Sequence, residues 1–160
     1  MKWRDSDRGR LATEASDLSS NGHHDLALSL LEQALQINPL DPLVLVYHGR
    51  VLHALGRDSD SERSFRKAIS IKCDLSFAWS EFGMMLIDCK RLTEAAECLK
   101  QSAAIRPDCS TYTLLASIKL AFDADGALRD ATSALELDPT WDEAIHLQAL
   151  AERAISKRNT

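Results

Sequence analysis

Histidine and cysteine are the first side chains of this sequence to consider for metal binding or catalysis. His23 and His24 precede Asp25, and both histidine and aspartate are common metal ligands. Successive residues of a helix point about 100° apart, so three in a row rarely bind one ion. His48 and His53 are five residues apart, a spacing that does not give them a shared helix face. We therefore expect a turn and a helix start at His23, no metal site and no catalytic residues.

The four cysteines also lack the spacing of a metal site. They are Cys73, Cys89, Cys98 and Cys109. None of them forms a CxxC motif, and none lies at metal-ligand spacing from a histidine. The sequence has no glycine-rich phosphate loop, nucleophile elbow or HExxH motif either. It thus predicts a protein that uses no cofactor and is not an enzyme. The cysteines are expected to be buried free thiols in a reducing compartment.

The composition is that of a soluble, mildly acidic domain. Of 160 residues, 45% are hydrophobic and 27% are charged, and the formal net charge is −5. This balance argues against disorder and against a nucleic-acid surface, which needs a basic stripe. No apolar run approaches the roughly 20 residues that span a bilayer, and the start MKWRDSDRG lacks the apolar core of a signal peptide. We expect a cytoplasmic protein that binds neither membranes nor nucleic acid.

An interval of 34 residues governs where small and large side chains occur. Position 1 of this repeat is set at Arg8, Pro42, Ser76 and Ser110. Position 8 is always small and holds Ala15, Gly49, Gly83 and Ser117. Position 11 is always leucine and holds Leu18, Leu52, Leu86 and Leu120. Because two helices approach to about 8–9 Å only where small side chains meet, the interval predicts repeated, closely packed helix pairs.

Turn and cap residues divide each repeat into two helices. Asn21-Gly22 and Gly56 should end first helices, since these residues accept the left-handed conformation that follows a last turn. Asp41 followed by Pro42 suits the start of the next helix. Prolines should stop the second helices at Pro39, Pro107 and Pro139. No segment alternates with a period of two, so no strand is predicted.

The third repeat carries a family motif. It reads WSEFGMML from Trp79 and continues with Ala95, Leu99 and Pro107. This resembles the tetratricopeptide repeat (TPR) pattern W-x2-L-G-x2-Y…A-x3-F…P, from which the second repeat departs with Cys73 at the proline position. The resemblance implies an all-α fold, a right-handed α-solenoid of stacked helix-turn-helix TPR units with a C-terminal capping helix.

The repeats predict a single TPR domain over residues 1–160. Its units are expected at about 8–41, 42–75, 76–109 and 110–141, with the capping helix at about 141–156. The fourth repeat is two residues short, and we assign this shortening to the turn FDADG between its helices. In the capping helix, Ile145 and Ala149 should face the core and Glu152 should face water.

In the resembled family, the first helices of the repeats line a concave groove that receives a helix or peptide. Carried over by position, the groove residues are Leu43, Val46, Tyr47, Arg50, Phe77, Glu81, Met84, Asp88, Leu114, Leu115 and Ile118. Most are apolar, which favours a protein partner with an apolar helix or segment, whereas Arg50, Glu81 and Asp88 would set polarity and register. Two alternatives are that some of these side chains pack against neighbouring helices, or that a second copy covers them in a homodimer.

The resemblance implies a non-enzymatic protein–protein interaction module that serves as an adaptor or assembly scaffold. The alternatives are a dedicated chaperone that shields an apolar client segment, and a regulatory TPR fragment of a larger enzyme. One family activity is not expected, since co-chaperones that hold the acidic tails of heat-shock chaperones use a clamp of lysine and asparagine. The corresponding positions here hold Ala12, Ser16, Tyr47, Phe77 and Glu81. None of these is the lysine or asparagine that the clamp requires.

Overall fold

The described part of the chain is helical throughout, apart from short connections. The computed structural model describes residues 2–158, with side chains from Arg10 onward. Within this range nine α-helices follow one another, and no strand occurs. They are α1 (Lys2–Ser20), α2 (His24–Ile37), α3 (Pro42–Ala54), α4 (Asp58–Ile71), α5 (Ser76–Asp88), α6 (Leu92–Ile105), α7 (Cys109–Lys119), α8 (Ala124–Leu137) and α9 (Asp142–Arg158). The predicted all-α fold is confirmed.

The chain divides into two compact units, Met1–Met85 and Leu86–Thr160, called here the N-terminal and C-terminal units. In the N-terminal unit α1 packs on α2, α3 packs on α4, and α2 packs on α3. The C-terminal unit joins α6 to α7, α7 to α8, and α8 to α9. Successive helices therefore pack in pairs and the pairs stack within each unit. The prediction of one domain over 1–160 stays a prediction.

The small residue at position 8 is required where α3 meets α4. A Cβ atom at Gly49 would lie 3.0 Å from the ring of Phe65, which is closer than carbon atoms normally approach. Phe65 is 0% exposed, and the Ser61 hydroxyl donates a 2.7 Å hydrogen bond to the Gly49 carbonyl oxygen. In the neighbouring pair, Ala15 and Ala27 are likewise 0% exposed. The packing predicted from the repeat is confirmed at these positions of the N-terminal unit.

The helix starts and stops follow the predicted signals. Asp41 caps α3, where its Oδ1 accepts hydrogen bonds from the backbone N–H groups of Leu43 at 2.9 Å and Val44 at 3.1 Å. Helices α2, α6 and α8 end at Ile37, Ile105 and Leu137, each two residues before a proline. Helix α4 ends at the equivalent Ile71 although Cys73 replaces the proline. There the Trp79 indole N–H donates a 2.8 Å hydrogen bond to the Cys73 carbonyl oxygen.

The first three turns between paired helices share one geometry. The N–H groups of His23, Arg57 and Arg91 donate to the carbonyl oxygens of Leu18, Leu52 and Leu86 at 2.9, 2.8 and 2.9 Å. The residue before each donor has a positive φ: 81° at Gly22, 73° at Gly56 and 61° at Lys90. This is the Schellman arrangement that ends a helix. The predicted helix ends at Gly22 and Gly56 are thus confirmed.

The fourth repeat is shortened in a different place from the one predicted. Helix α7 has 11 residues, whereas α3 and α5 have 13. Only Asp108 separates Pro107 from α7, while two residues separate Pro39 from α3. The turn that follows α7 has four residues, one more than each earlier turn between paired helices. The assignment of the shortening to FDADG is therefore wrong, because the helix and its approach are short instead.

The early start of α7 shifts its register by one residue. The Asp108 Oδ1 caps the helix by accepting the Thr111 N–H at 2.9 Å. Counted from this cap, position 8 falls on Ala116, as Gly49 does when counted from Asp41. Ala116 is 0% exposed, whereas Ser117, predicted to lie at the helix crossing, is exposed. The prediction for Ser117 is wrong.

The same shift brings a lysine to the position of the repeated leucine. Counted from Asp108, position 11 is Lys119 rather than Leu120. The Lys119 ammonium lies 2.6 Å from Asp130 Oδ2 on α8, and both side chains are mostly buried, at 19% and 15% exposed. An ion pair therefore joins the two helices of the fourth repeat at the level where leucines lie in the others.

Helix α9 turns a different face to the core than predicted. Ala144 and Ala151 are buried, whereas Ile145 is 46% exposed and Ala149 is also exposed. The core assignment of the latter two is wrong. In the second repeat, position 8 is Gly49, which faces Phe65 on the second helix of its pair. Helix α9 is the last helix of the described residues, so no such partner helix follows it there. Glu152 is exposed, as expected.

Candidate partner-binding surfaces

The predicted groove residues fall into three groups by exposure. The exposed ones are Leu43, Arg50, Met84 and Asp88. The half-buried ones are Tyr47, Phe77, Glu81 and Leu114. The buried ones are Val46, Leu115 and Ile118, at 0%, 2% and 6% exposed. This last group belongs to the core and is not available to a partner.

Two causes account for the three buried residues. The groove positions predicted for Leu115 and Ile118 assume that the fourth repeat starts at Ser110. Helix α7 starts one residue earlier, and this shift turns both side chains toward the core. Val46 lies five residues after its cap, and its counterpart in α7, Thr113, is also buried at 6% exposed. Position 5 of the repeat is thus a core position in both helices.

On the N-terminal unit, two parallel rows of side chains remain at the surface. Leu43, Tyr47 and Arg50 follow one another along α3 at intervals of four and three residues. Phe77, Glu81 and Met84 do the same along α5. Residues at these intervals share a helix face. We call these six residues the α3/α5 face.

Direct contacts tie the two rows together. The ring centroids of Tyr47 and Phe77 are 5.8 Å apart and the ring planes are tilted by 58°. One turn further along, Arg50 Nε lies 3.0 Å from Glu81 Oε2. The Arg50 guanidinium carbon is also 5.9 Å from the Tyr47 ring centroid, within the range of a cation–π contact. Direct contacts therefore join the central side chains of the α3/α5 face, and its apolar ends, Leu43 and Met84, are 46% and 37% exposed.

The ion pair at the centre of this face is unequally exposed. The Arg50 side chain is 44% exposed, whereas that of Glu81 is 12% exposed. Burial raises the pKa of Glu81, and the charge of Arg50 opposes that rise without cancelling it. The more buried Glu81 thus pairs with Arg50 Nε, and the more exposed Arg50 guanidinium can be reached by a ligand.

The C-terminal unit has a cleft of about 480 Å³ between α7 and α9. It is lined by Thr113, Leu114, Ser117, Asp142, Glu143, His146 and Leu147. We call it the α7/α9 cleft. Of the predicted groove residues only Leu114 lines it. The repeat spacing does not predict the others, because α7 begins one residue early and α9 is expected only to cap the array.

Three histidines of the N-terminal unit have local hydrogen-bonding partners. The ring nitrogen Nδ1 lies near an oxygen in three cases: His24 to Ser19 at 3.3 Å, His48 to Ser64 at 2.9 Å, and His53 to Asp58 at 2.7 Å. Burial lowers the pKa of His48, so its ring is neutral at physiological pH. Each of these three contacts joins the two helices of one pair.

No disulfide joins the four cysteines, but they differ in exposure. Cys98 is buried, Cys89 and Cys109 are half-buried, and Cys73 is exposed. The expectation of four buried thiols is therefore wrong at Cys73. That residue follows the end of α4, at the repeat position where the other second helices are followed by proline.

Comparison with known proteins identifies the fold. A model of the tetratricopeptide repeat family matches residues 78–109, the stretch that contains the WSEFGMML motif from Trp79 onward. PilF of Pseudomonas aeruginosa superposes with a TM-score of 0.88 at 17% identity, over 96% of this chain and 71% of PilF. The chain has the TPR fold. The predicted resemblance is confirmed, and the helix pairs described above are TPR units.

Two further TPR structures are similar over most of their length. MamA of Desulfovibrio magneticus, from residue 41 to its end, gives a TM-score of 0.78 at 20% identity, over 96% of this chain and 88% of MamA. YrrB, a TPR protein with an unusual peptide-binding site, gives 0.73 at 17% identity, over 92% and 77%. No curated protein matches the chain. At these identities the shared property is the TPR fold.

Proposed function

We propose that this TPR chain is a non-enzymatic protein–protein interaction module, an adaptor or assembly scaffold. It binds an apolar helix or peptide of a partner on the α3/α5 face. TPR proteins bind protein or peptide partners, and YrrB is one with a peptide-binding site. The TPR family is generally non-enzymatic, and four of the six residues of the α3/α5 face are apolar or aromatic.

The observation that carries this proposal is the arrangement of the α3/α5 face. Leu43 and Met84 leave apolar surface exposed at its ends, and burial of such surface is the main favourable term in association. Tyr47 and Phe77 form an ordered aromatic centre, a residue type that often supplies much of the binding energy at interfaces. Arg50 can donate to a backbone carbonyl or a carboxylate of the bound segment. Together these residues fit an amphipathic segment.

The proposed location is the cytoplasm. No disulfide joins the four cysteines, which agrees with a reducing compartment. None of the helices in the described residues combines the length and apolar character of a membrane-spanning segment.

The double variant Leu43→Lys/Met84→Lys tests the proposal. The intact chain is used to capture its partner, the partner is identified by mass spectrometry, and the dissociation constant is measured by calorimetry. We expect the double variant to bind at least about ten-fold more weakly, because two charges replace the apolar ends of the surface. Circular dichroism melting should stay unchanged, since both side chains are exposed.

Leu26→Lys is the matched control, because Leu26 is 59% exposed on the second helix α2 of the same unit. It should bind like the unchanged chain. Equal affinities for the double variant and the unchanged chain would refute binding on the α3/α5 face.

A further inference from the structure

We propose that the α7/α9 cleft binds a partner segment in which a lysine or arginine lies beside an apolar residue. This inference rests on the proposed interaction function and extends it to a second surface, with a defined ligand chemistry. At about 480 Å³ the cleft lies within the range of about 300–1,000 Å³ found for small-molecule sites. It is therefore large enough to take side chains of a bound peptide.

The two walls of the cleft give it an apolar floor and an acidic end. Leu114 of α7 and Leu147 of α9 are half-buried and supply the floor. Asp142 and Glu143 lie in the first turn of α9, one turn before His146 and Leu147. Both carboxylates are exposed, so a ligand can reach them. The spacing places negative charge about one helical turn from apolar surface.

The carboxylates of the cleft differ from four other acidic residues of the C-terminal unit. Each of those four is paired with a basic side chain: Glu94 with Arg91, Glu97 with Lys100, Asp125 with Arg158 and Asp130 with Lys119. Asp142 and Glu143 have no basic partner among the described residues, and none of the residues lining the cleft is lysine or arginine. The negative charge at this end of the cleft is thus left for a ligand to neutralise.

A lysine or arginine of a partner matches both parts of this surface. Its methylene stem packs on apolar side chains such as Leu147 while its charged head stays in water beside a carboxylate. A neighbouring apolar residue of the same segment covers Leu114. An exposed ion pair contributes little by itself, so recognition requires the charge and the apolar contact together.

Nuclear magnetic resonance on the full chain, labelled with 15N, tests this inference. The probe is the capped peptide Ala-Lys-Leu-Leu-Lys-Ala, and the matched probe has glutamine in place of both lysines. We expect the lysine peptide to shift the amide signals of Leu114, Ser117, Glu143 and Leu147. It should bind about three-fold or more tightly than the glutamine peptide at low salt. This preference should vanish at about 0.3 M salt, where screening is strong.

Variants of the acidic end separate charge from shape. Asp142→Asn with Glu143→Gln keeps the size of both side chains and should weaken the lysine peptide about five-fold, leaving the glutamine peptide unchanged. The control is Glu152→Gln, an exposed carboxylate of α9 outside the cleft, which should change neither. Because carboxylates in a first turn also favour the helix, melting curves are recorded for every variant.

Several results would overturn the inference. Equal binding of both peptides would show an apolar ligand without charge selection, and shifts outside the cleft would show that the ligand binds elsewhere. Cleft signals that move with protein concentration alone would show a second copy of the chain in the cleft. The Leu43→Lys/Met84→Lys variant acts on the other unit and should leave peptide binding unchanged. Failure of the cleft and failure of the α3/α5 face can thus be told apart.

Discussion

At the scale of single residues, Glu81 is the member of the α3/α5 face whose pKa is raised by burial. It is only 12% exposed and supports the more exposed Arg50 at 3.0 Å. The sequence predicted both residues as determinants of polarity, since they fall on the surface positions of the TPR unit. It could not predict that they pair with each other, because the contact depends on how α3 and α5 pack.

The raised pKa of Glu81 gives its contribution to stability a defined pH dependence. Between its ordinary pKa of 4.5 and the raised pKa, the folded chain holds a proton that the unfolded chain has lost. Stability from Glu81 is therefore fully present below 4.5 and decreases as the pH rises through the raised value. In urea unfolding from about pH 4 to about pH 7, the unchanged chain should lose stability relative to Glu81→Gln.

Glu152→Gln serves as the control for that titration, since Glu152 is exposed on α9 and should show no such trend. A gain of stability relative to Glu81→Gln with rising pH would contradict the account. It would mean that attraction to Arg50 outweighs the burial of the carboxylate.

At the scale of helices, α7 shows what repeat spacing predicts and what it does not. The repeat interval located the helix pairs, and the packing expected at Ala15 and Gly49 is confirmed. It failed at Ser117 because the register of a helix depends on its cap, and Asp108 begins α7 one residue early. A signal was present in the sequence, since Asp108 directly follows Pro107 while Asp41 follows Pro39 after one intervening residue.

Paired substitutions test this register. Ala116→Leu should destabilise the chain by about 1–3 kcal/mol, because Ala116 is 0% exposed and the added atoms overpack the core. Ser117→Leu should change stability by less than about 0.5 kcal/mol, because Ser117 is exposed. Both are measured by urea unfolding. A larger loss for Ser117→Leu than for Ala116→Leu would restore the register first predicted from the spacing.

At the scale of the whole molecule, the sequence predicted the fold more fully than the surfaces. Periodic small and large residues determine which side chains meet between helices, so the TPR fold could be read from them. A binding surface depends instead on which side chains are left over after packing. Val46, Leu115 and Ile118 were taken into the core, and the acidic end of the α7/α9 cleft came from a helix expected only to cap the array.

The most direct test of the central claim, that a partner binds on the first helices of the TPR units, is photo-crosslinking. A photoreactive phenylalanine analogue replaces Met84 on the α3/α5 face, and in a second chain it replaces Leu26 on α2. Both positions are exposed, at 37% and 59%. We predict that one defined protein crosslinks from position 84 and not from position 26. A partner that crosslinks from position 26 and not from position 84 would contradict the account.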